Sequence, residues 1–208
     1  MSTITLYTHP LSRGRMVRWM LEECAADYEV VAVPFGDVMK SPDYLAVNPM
    51  GKVPALKVGD TVITETAAII TWLADYFAPA CLIPQADTLE RGQYYRWLCF
   101  AIHFEYAMMD KWQGVPTSAE RRKAIGYGDF DTALNTLRQI LSSREYLLGN
   151  AFSVLDLYLA SLLNWSAQVA GVLPDDAVFT GYTARVTDRE AFHRAAALDN
   201  ELLAAINT

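Results

Sequence analysis

Three short runs of this chain carry groups suited to holding a peptide and stabilising a negative charge. They are Ser12 just ahead of a helical pattern, residues 48–56 with the order Asn-Pro-Met-Gly-Lys-Val-Pro-Ala-Leu, and Glu65-Thr66 at the head of another helical pattern. In the second run Asn48-Pro49 and Gly51 mark a turn, and Val53 to Leu56 reads as the opening of a strand. Pro54 has no N–H for a ladder hydrogen bond and therefore belongs at a strand start or edge. With a cis Val53–Pro54 bond the chain doubles back and leaves the Val53 N–H and C=O free to pair with an extended ligand backbone. Thr64 reads as an N-cap, which sets Glu65 and Thr66 in a first helical turn where free N–H groups and the positive dipole end gather. There the Thr66 N–H and hydroxyl suit a ligand carboxylate and the Glu65 carboxylate suits a ligand ammonium. The α-amino acid end of a peptide presents both.

The elements that must position these groups follow from periodicity. Thr3–Thr8 alternates as a strand, Ser12–Ala26 as an amphipathic helix and Tyr28–Val33 as a second strand. Ser41-Pro42 opens a short helix, Val53–Val58 and Thr61–Thr64 flank a Gly59-Asp60 hairpin turn, and Thr66–Phe77 returns to helix. The order predicts a small mixed four-stranded sheet with helices on both faces, its first two strands parallel through a helical crossover. Pro79 and Pro84 interrupt the chain, and beyond Thr88 the pattern is helical: Thr88–Trp112, Ser118–Ser142, Ser153–Ala170 and shorter pieces to the end. The expected division is an α/β domain at 1–78, a linker at 79–87 and an all-helical domain at 88–208. Ser153-x-x-Asp156 has capping-box spacing.

At 208 residues, 52% hydrophobic and 20% charged, the chain can bury one large core or two smaller ones. A formal net charge of −7 argues against nucleic acid, because phosphate neutralisation needs a basic surface. No apolar run reaches membrane-spanning length, and the first residues lack the pattern of a signal peptide, so the cytoplasm is the expected location. Cys24, Cys81 and Cys99 form no Cys-x-x-Cys pair, and His9, His103 and His193 have no metal-ligand spacing. No metal is expected. Cys24 lies at helical spacing from Val17, Met20 and Leu21 and is expected to be buried.

The chain resembles the cytosolic glutathione transferase superfamily over nearly its whole length. The resemblance rests on Leu6-Tyr7, on Ser12-Arg13-Gly14-Arg15 before a helix ending Leu21-Glu22-Glu23, on Asn48 to Leu56, on Glu65-Thr66, and on Phe152 to Asp156. It implies a thioredoxin-like N-terminal domain with a C-terminal helical bundle domain, an α/β plus all-α chain. It also implies an enzyme of the detoxifying kind that binds glutathione as a co-substrate, needs no other cofactor, and attacks a small hydrophobic electrophile. The Val53-Pro54 loop would hold the cysteinyl backbone of glutathione, and Glu65-Thr66 its γ-glutamyl end, with Thr66 in place of the commoner serine.

Given that ligand, some group must activate its thiol, and Ser12 is the leading candidate through its hydroxyl, with the free backbone N–H groups and positive dipole end of the helix start beside it. Tyr7 is the alternative, since several classes of the superfamily use a tyrosine at the end of the first strand, although theirs falls one or two positions later. Backbone amides, Arg13 or Arg15 remain further options. Arg13 or Arg15 can attract ligand carboxylates, Lys52 can approach the glycyl carboxylate, and Arg18 stands four residues before Glu22, as a surface pair would. No cysteine lies between His9 and Arg18, which disfavours chemistry through a mixed disulfide. The electrophile pocket is expected between the domains, walled in part by Thr88–Trp112. The aromatic surplus of that helix, with the usual state of the superfamily, predicts a homodimer built on the helices that begin near Glu65 and Thr88. Alternative readings are a glutathione-dependent peroxidase or disulfide reductase, or a non-catalytic interaction protein on the same scaffold.

Overall fold

The computed structural model describes residues 3–206. Strand β1 (Ile4–Thr8) alternates in burial, with Ile4, Leu6 and Thr8 buried and Thr5 and Tyr7 half-buried. It runs through helix α1 (Gly14–Glu23) into the parallel strand β2 (Glu29–Ala32). Ser41 caps α2 (Pro42–Val47), accepting from the Tyr44 N–H, and the hairpin of β3 (Ala55–Val58) and β4 (Thr61–Thr64) leads to α3 (Thr66–Tyr76). The sheet order is β2-β1-β3-β4, with β3 antiparallel to both neighbours. This is the thioredoxin-like plan expected from the sequence. Among the described residues no helix is long and apolar enough to cross a membrane.

The chain divides into two compact units, Met1–Cys81 together with Arg189–Thr208, and Leu82–Asp188. The expected division at 88–208 therefore assigns the last helix to the wrong unit. Helix α9 (Glu190–Ile206, after α4 to α8 below) packs on α1. Trp19 meets Phe192 edge-on at 4.8 Å, Arg189 makes paired hydrogen bonds to Glu23 at 2.6 and 2.7 Å, and Arg194 reaches Glu22 at 3.1 Å. Complementary charges on segments far apart in sequence carry no local periodic signal.

The second unit contains α4 (Leu89–Trp112), α5 (Ala119–Ala124), α6 (Phe130–Leu141), α7 (Val154–Trp165) and α8 (Ala177–Thr187). Thr88 caps α4, and the expected single helix over Ser118–Ser142 is two. Gly128 takes φ +69° between them, and Asp129 starts the second by accepting from the Thr132 N–H at 2.8 Å.

The capping box does more than end a helix. Asp156 is fully buried and accepts from the Ser153 N–H at 2.8 Å, the Ser153 hydroxyl at 2.8 Å, the Leu147 N–H at 2.7 Å and the Tyr182 hydroxyl at 2.7 Å. One carboxylate thus ties the start of α7 to the loop before it and to α8. Asp156→Ala leaves several buried donors unpaired and should destabilise the protein by about 3–5 kcal/mol. Urea denaturation is the check, and a loss under about 1 kcal/mol would mean that water satisfies those donors.

Candidate active site

Three segments converge at one end of the sheet because of its register. Ala55 pairs with Tyr7 on one side and with Thr64 on the other. Beyond that rung Val53-Pro54 before β3, the turn from His9 after β1 and Glu65-Thr66 after β4 all leave the sheet at the same end. Val53-Pro54, Glu65-Thr66 and the segment carrying Ser12 are thus neighbours.

The 48–54 loop is held from beneath by its own chain. The buried Asn48 donates from Nδ2 to the Lys52 carbonyl at 2.7 Å and accepts from the Met50 N–H at 3.1 Å. The Tyr44 hydroxyl donates to the same Lys52 carbonyl at 2.7 Å, and burial beside Tyr7 pushes the Tyr44 pKa up to about 12, which keeps it a donor. Lys40 Nζ donates to the Met50 and Gly51 carbonyls at 3.0 Å each. Gly51 takes φ +57°, and a Cβ there would stand 2.6 Å from the Met39 carbonyl oxygen. The Val53–Pro54 bond is cis. With five anchors on residues 48–52, the Val53 N–H and C=O make no hydrogen bond among the described residues. The Lys52 side chain is exposed.

Thr64 is the last residue of β4 and not the helix cap that the sequence suggested. Glu65 holds the cap position at φ +65°, ψ +114°, with an exposed side chain and no side-chain capping bond. A non-glycine residue in that region costs about 1–3 kcal/mol and commonly sits where a ligand is held. The kink turns the chain from strand into helix within one residue. Thr66 becomes the first residue of α3, buried, at the dipole's positive end.

Ser12 lies two residues before α1, whose cap position is Arg13. Its hydroxyl donates to the His9 carbonyl at 2.7 Å and accepts from the Gly14 N–H at 3.0 Å. The Ser12, Arg15 and Met16 N–H groups also bond within the turn, to His9, Ser12 and Arg13 carbonyls. The expected cluster of free N–H groups beside Ser12 is therefore largely consumed. The half-exposed Ser12 hydroxyl itself remains, polarised by the N–H it accepts from.

Tyr7 and Thr8 point to opposite faces of β1. Thr8 meets α1, where a Cβ on Gly14 would fall 1.8 Å from its hydroxyl oxygen. Tyr7 instead packs against the cluster of Val33, Met39 and Tyr44, its ring 6.1 Å from that of Tyr44. It faces away from α1. Arg13 is exposed at the start of the helix. Arg18 does not pair with Glu22 as its spacing suggested, because it is buried with its Nε 2.8 Å from Asp199 on α9. Glu22 is taken by Arg194 and by the Tyr28 hydroxyl.

His9 was not marked by the sequence pattern. It stacks on Phe35 at 3.8 Å and its Nδ1 accepts from the Leu11 N–H at 3.1 Å, while burial lowers its pKa and so favours the neutral ring that this bond needs. Cys24 is half-buried with its thiol pushed up to about 12 by burial and then by Glu23, a poor nucleophile, whereas Cys81 and Cys99 are exposed. Among the described residues no group of His, Cys, Asp and Glu is arranged to hold a metal ion.

Comparison with known proteins returns mainly glutathione S-transferases, together with a stringent starvation protein A homolog of Haemophilus ducreyi that is 26% identical over 198 residues, covering 91% of this chain and 85% of that protein. The family "Glutathione S-transferase, N-terminal domain" matches residues 12–75, which span Ser12, the 48–56 loop and Glu65-Thr66. A glutathione S-transferase of Xanthomonas campestris is 30% identical over 173 residues, covering 80% of this chain and 84% of that protein. The glutathione transferase structure from Methylococcus capsulatus superposes with a TM-score of 0.78 at 29% identity, covering 95% of this chain and 98% of the other. A sphingomonad glutathione S-transferase solved with glutathione superposes at 0.74 and 30% identity, covering 94% and 98%.

Proposed function

The chain belongs to the cytosolic glutathione transferase superfamily, and we propose that it binds glutathione at the end of its sheet and activates the thiol for attack on a small hydrophobic electrophile. The unpaired Val53 backbone beside Glu65-Thr66 is the observation that carries this reading. The cysteinyl N–H and C=O of glutathione extend β3 as a further strand segment would. Its γ-glutamyl carboxylate takes the Thr66 N–H and hydroxyl, its ammonium the Glu65 carboxylate, and its glycyl carboxylate lies toward Lys52, with Arg13 adding positive potential.

Bound this way, the sulfur comes to the turn between β1 and α1. Ser12 redirects its hydroxyl proton from the His9 carbonyl to the sulfur, while the Gly14 N–H continues to donate to the hydroxyl oxygen. The thiol then releases its proton to water, and the thiolate sulfur bonds to the electrophilic carbon, from which a leaving group such as halide departs with its bonding pair, positioning and charge stabilisation being what the protein contributes. Tyr7, turned to the other face of the sheet, is the weaker choice. The turn and helix start around Ser12 carry no cysteine between His9 and Arg18, which supports transfer over a disulfide-forming reductase. Unpaired thiols, two of them exposed, support a cytoplasmic location.

A homodimer is part of the same proposal. Taken each within its own unit, α3 leaves Tyr76 exposed, stacked on Trp72 at 4.5 Å, and α4 leaves Leu89, Tyr95 and Tyr106 exposed. A two-fold interface would cover such faces.

Glu65→Ala should weaken glutathione binding at least tenfold, about 1.4 kcal/mol, by calorimetry. No binding by the unaltered protein would end the enzyme reading. Ser12→Ala should cut turnover of an aryl halide roughly ten- to a thousandfold and raise the bound thiol's pKa, with glutathione affinity nearly unchanged. Full activity in that variant, with loss in Tyr7→Phe, would transfer the role to Tyr7. Light scattering should give twice the 23.2 kDa chain mass; a fully active monomer would refute the dimer.

A further inference from the structure

We propose that Asp199, on α9, is a positioning residue for the turn that carries Ser12, acting through Arg15. The proposal rests on the function inferred above and concerns a residue that touches no reacting atom. Asp199 is 1% exposed. One carboxylate oxygen lies 2.8 Å from Arg18 Nε, a close buried ion pair. The other oxygen lies 3.9 Å from Arg15 Nε. Arg15 in turn donates from Nη1 to the Pro10 carbonyl at 3.3 Å. Pro10 belongs to the turn that is closed by the Ser12 N–H on the His9 carbonyl at 2.9 Å. A chain of contacts thus runs from α9 through α1 to the turn.

Arg18, buried with it, is the nearer counter-charge of Asp199. Arg15, with 40% of its side chain exposed, is free to extend into water, and its orientation toward Pro10 needs a cause. The second oxygen of Asp199 supplies one, because a weakly screened carboxylate holds a guanidinium at this distance. The tether matters most when Ser12 works. Once its hydroxyl leaves the His9 carbonyl for the ligand sulfur, one of the two bonds closing the turn is gone, and the Arg15 bond to Pro10 keeps the turn in shape.

The experiment compares Asp199→Asn, Arg15→Met and the double variant. Each single variant should lower kcat with glutathione and an aryl halide about tenfold, with the KM for glutathione within about twofold, because Val53 and Glu65-Thr66 are anchored elsewhere. The double variant should be no worse than Arg15→Met alone, since both changes cut one tether. In the glutathione-free protein, amide exchange at Ser12 should accelerate about tenfold in both single variants. A lower melting temperature with unchanged kcat per folded molecule and unchanged Ser12 exchange would reduce Asp199 to a packing role and overturn the proposal, as would additive effects. If Asp199→Asn does not fold, Arg15→Met at its half-exposed position carries the same expectation. Should the unaltered protein neither bind nor turn over glutathione, the functional reading fails, and Ser12 exchange still decides whether the tether exists.

Discussion

Ala55 is paired between two strands, and the site depends on that rung. Because β3 lies between β1 and β4 with Ala55 opposite Tyr7 and Thr64, the residues just beyond are brought side by side whatever their side chains. Each segment then leaves the sheet for a different reason. Pro54 lacks the N–H to continue the ladder. Glu65 turns into α3 through a positive φ, and the 9–12 turn closes on the His9 carbonyl. The ladder stops at this end on all three strands, which leaves backbone polar groups facing outward. The strain at Glu65, about 1–3 kcal/mol, is offset by the helix it starts, which buries Ile69, Ile70, Leu73 and Ala74.

Helix α1 is fixed from two directions, and both bear on Ser12. On the sheet side Gly14 lets the helix start against Thr8 at a distance no other residue allows. On the other side α9 and Arg189 just ahead of it supply Asp199, Arg189 and Arg194 to Arg18, Glu23 and Glu22. Arg13, Arg15 and Arg18 at a helix start oppose the macrodipole, an arrangement that local rules disfavour. Two of the three find their counter-charge in Asp199, so the local misfit is settled by a long-range partner.

What was legible in the sequence is what short-range chemistry determines. The strand alternation, the helix start at Ser41-Pro42, the Asn48 turn, the proline at the opening of β3 and the Ser153-Asp156 box each follow from residues within a few positions of one another. The misses depended on partners far along the chain or on a single dihedral angle. Arg18 could not be separated from a surface pair with Glu22 until α9 was placed, and α9 itself read as another piece of the helical bundle. Thr64 resembled a cap because the sequence carries no sign that Glu65 adopts a positive φ. Type and spacing single out the Ser12 segment, but nothing local in the sequence shows that a tight turn uses the N–H groups beside it.

That turn sets the energetic terms for thiol activation. Lowering a thiol pKa from about 8.5 by two units requires roughly 2.7 kcal/mol of preference for the thiolate. A hydrogen bond to a charged group contributes about 1.5–3 kcal/mol, but Ser12 must first give up its bond to the His9 carbonyl, worth about 1 kcal/mol. The hydroxyl alone therefore supplies about 0.5–2 kcal/mol. A helix N-terminus adds roughly 0.3–1 kcal/mol, and up to about 2 kcal/mol where partly buried. With the N–H groups of the first turn satisfied internally, that contribution must reach the sulfur through the Gly14 N–H, the Ser12 oxygen and its proton. The serine and the helix are then parts of one donor, and a distortion of the turn between them weakens both together.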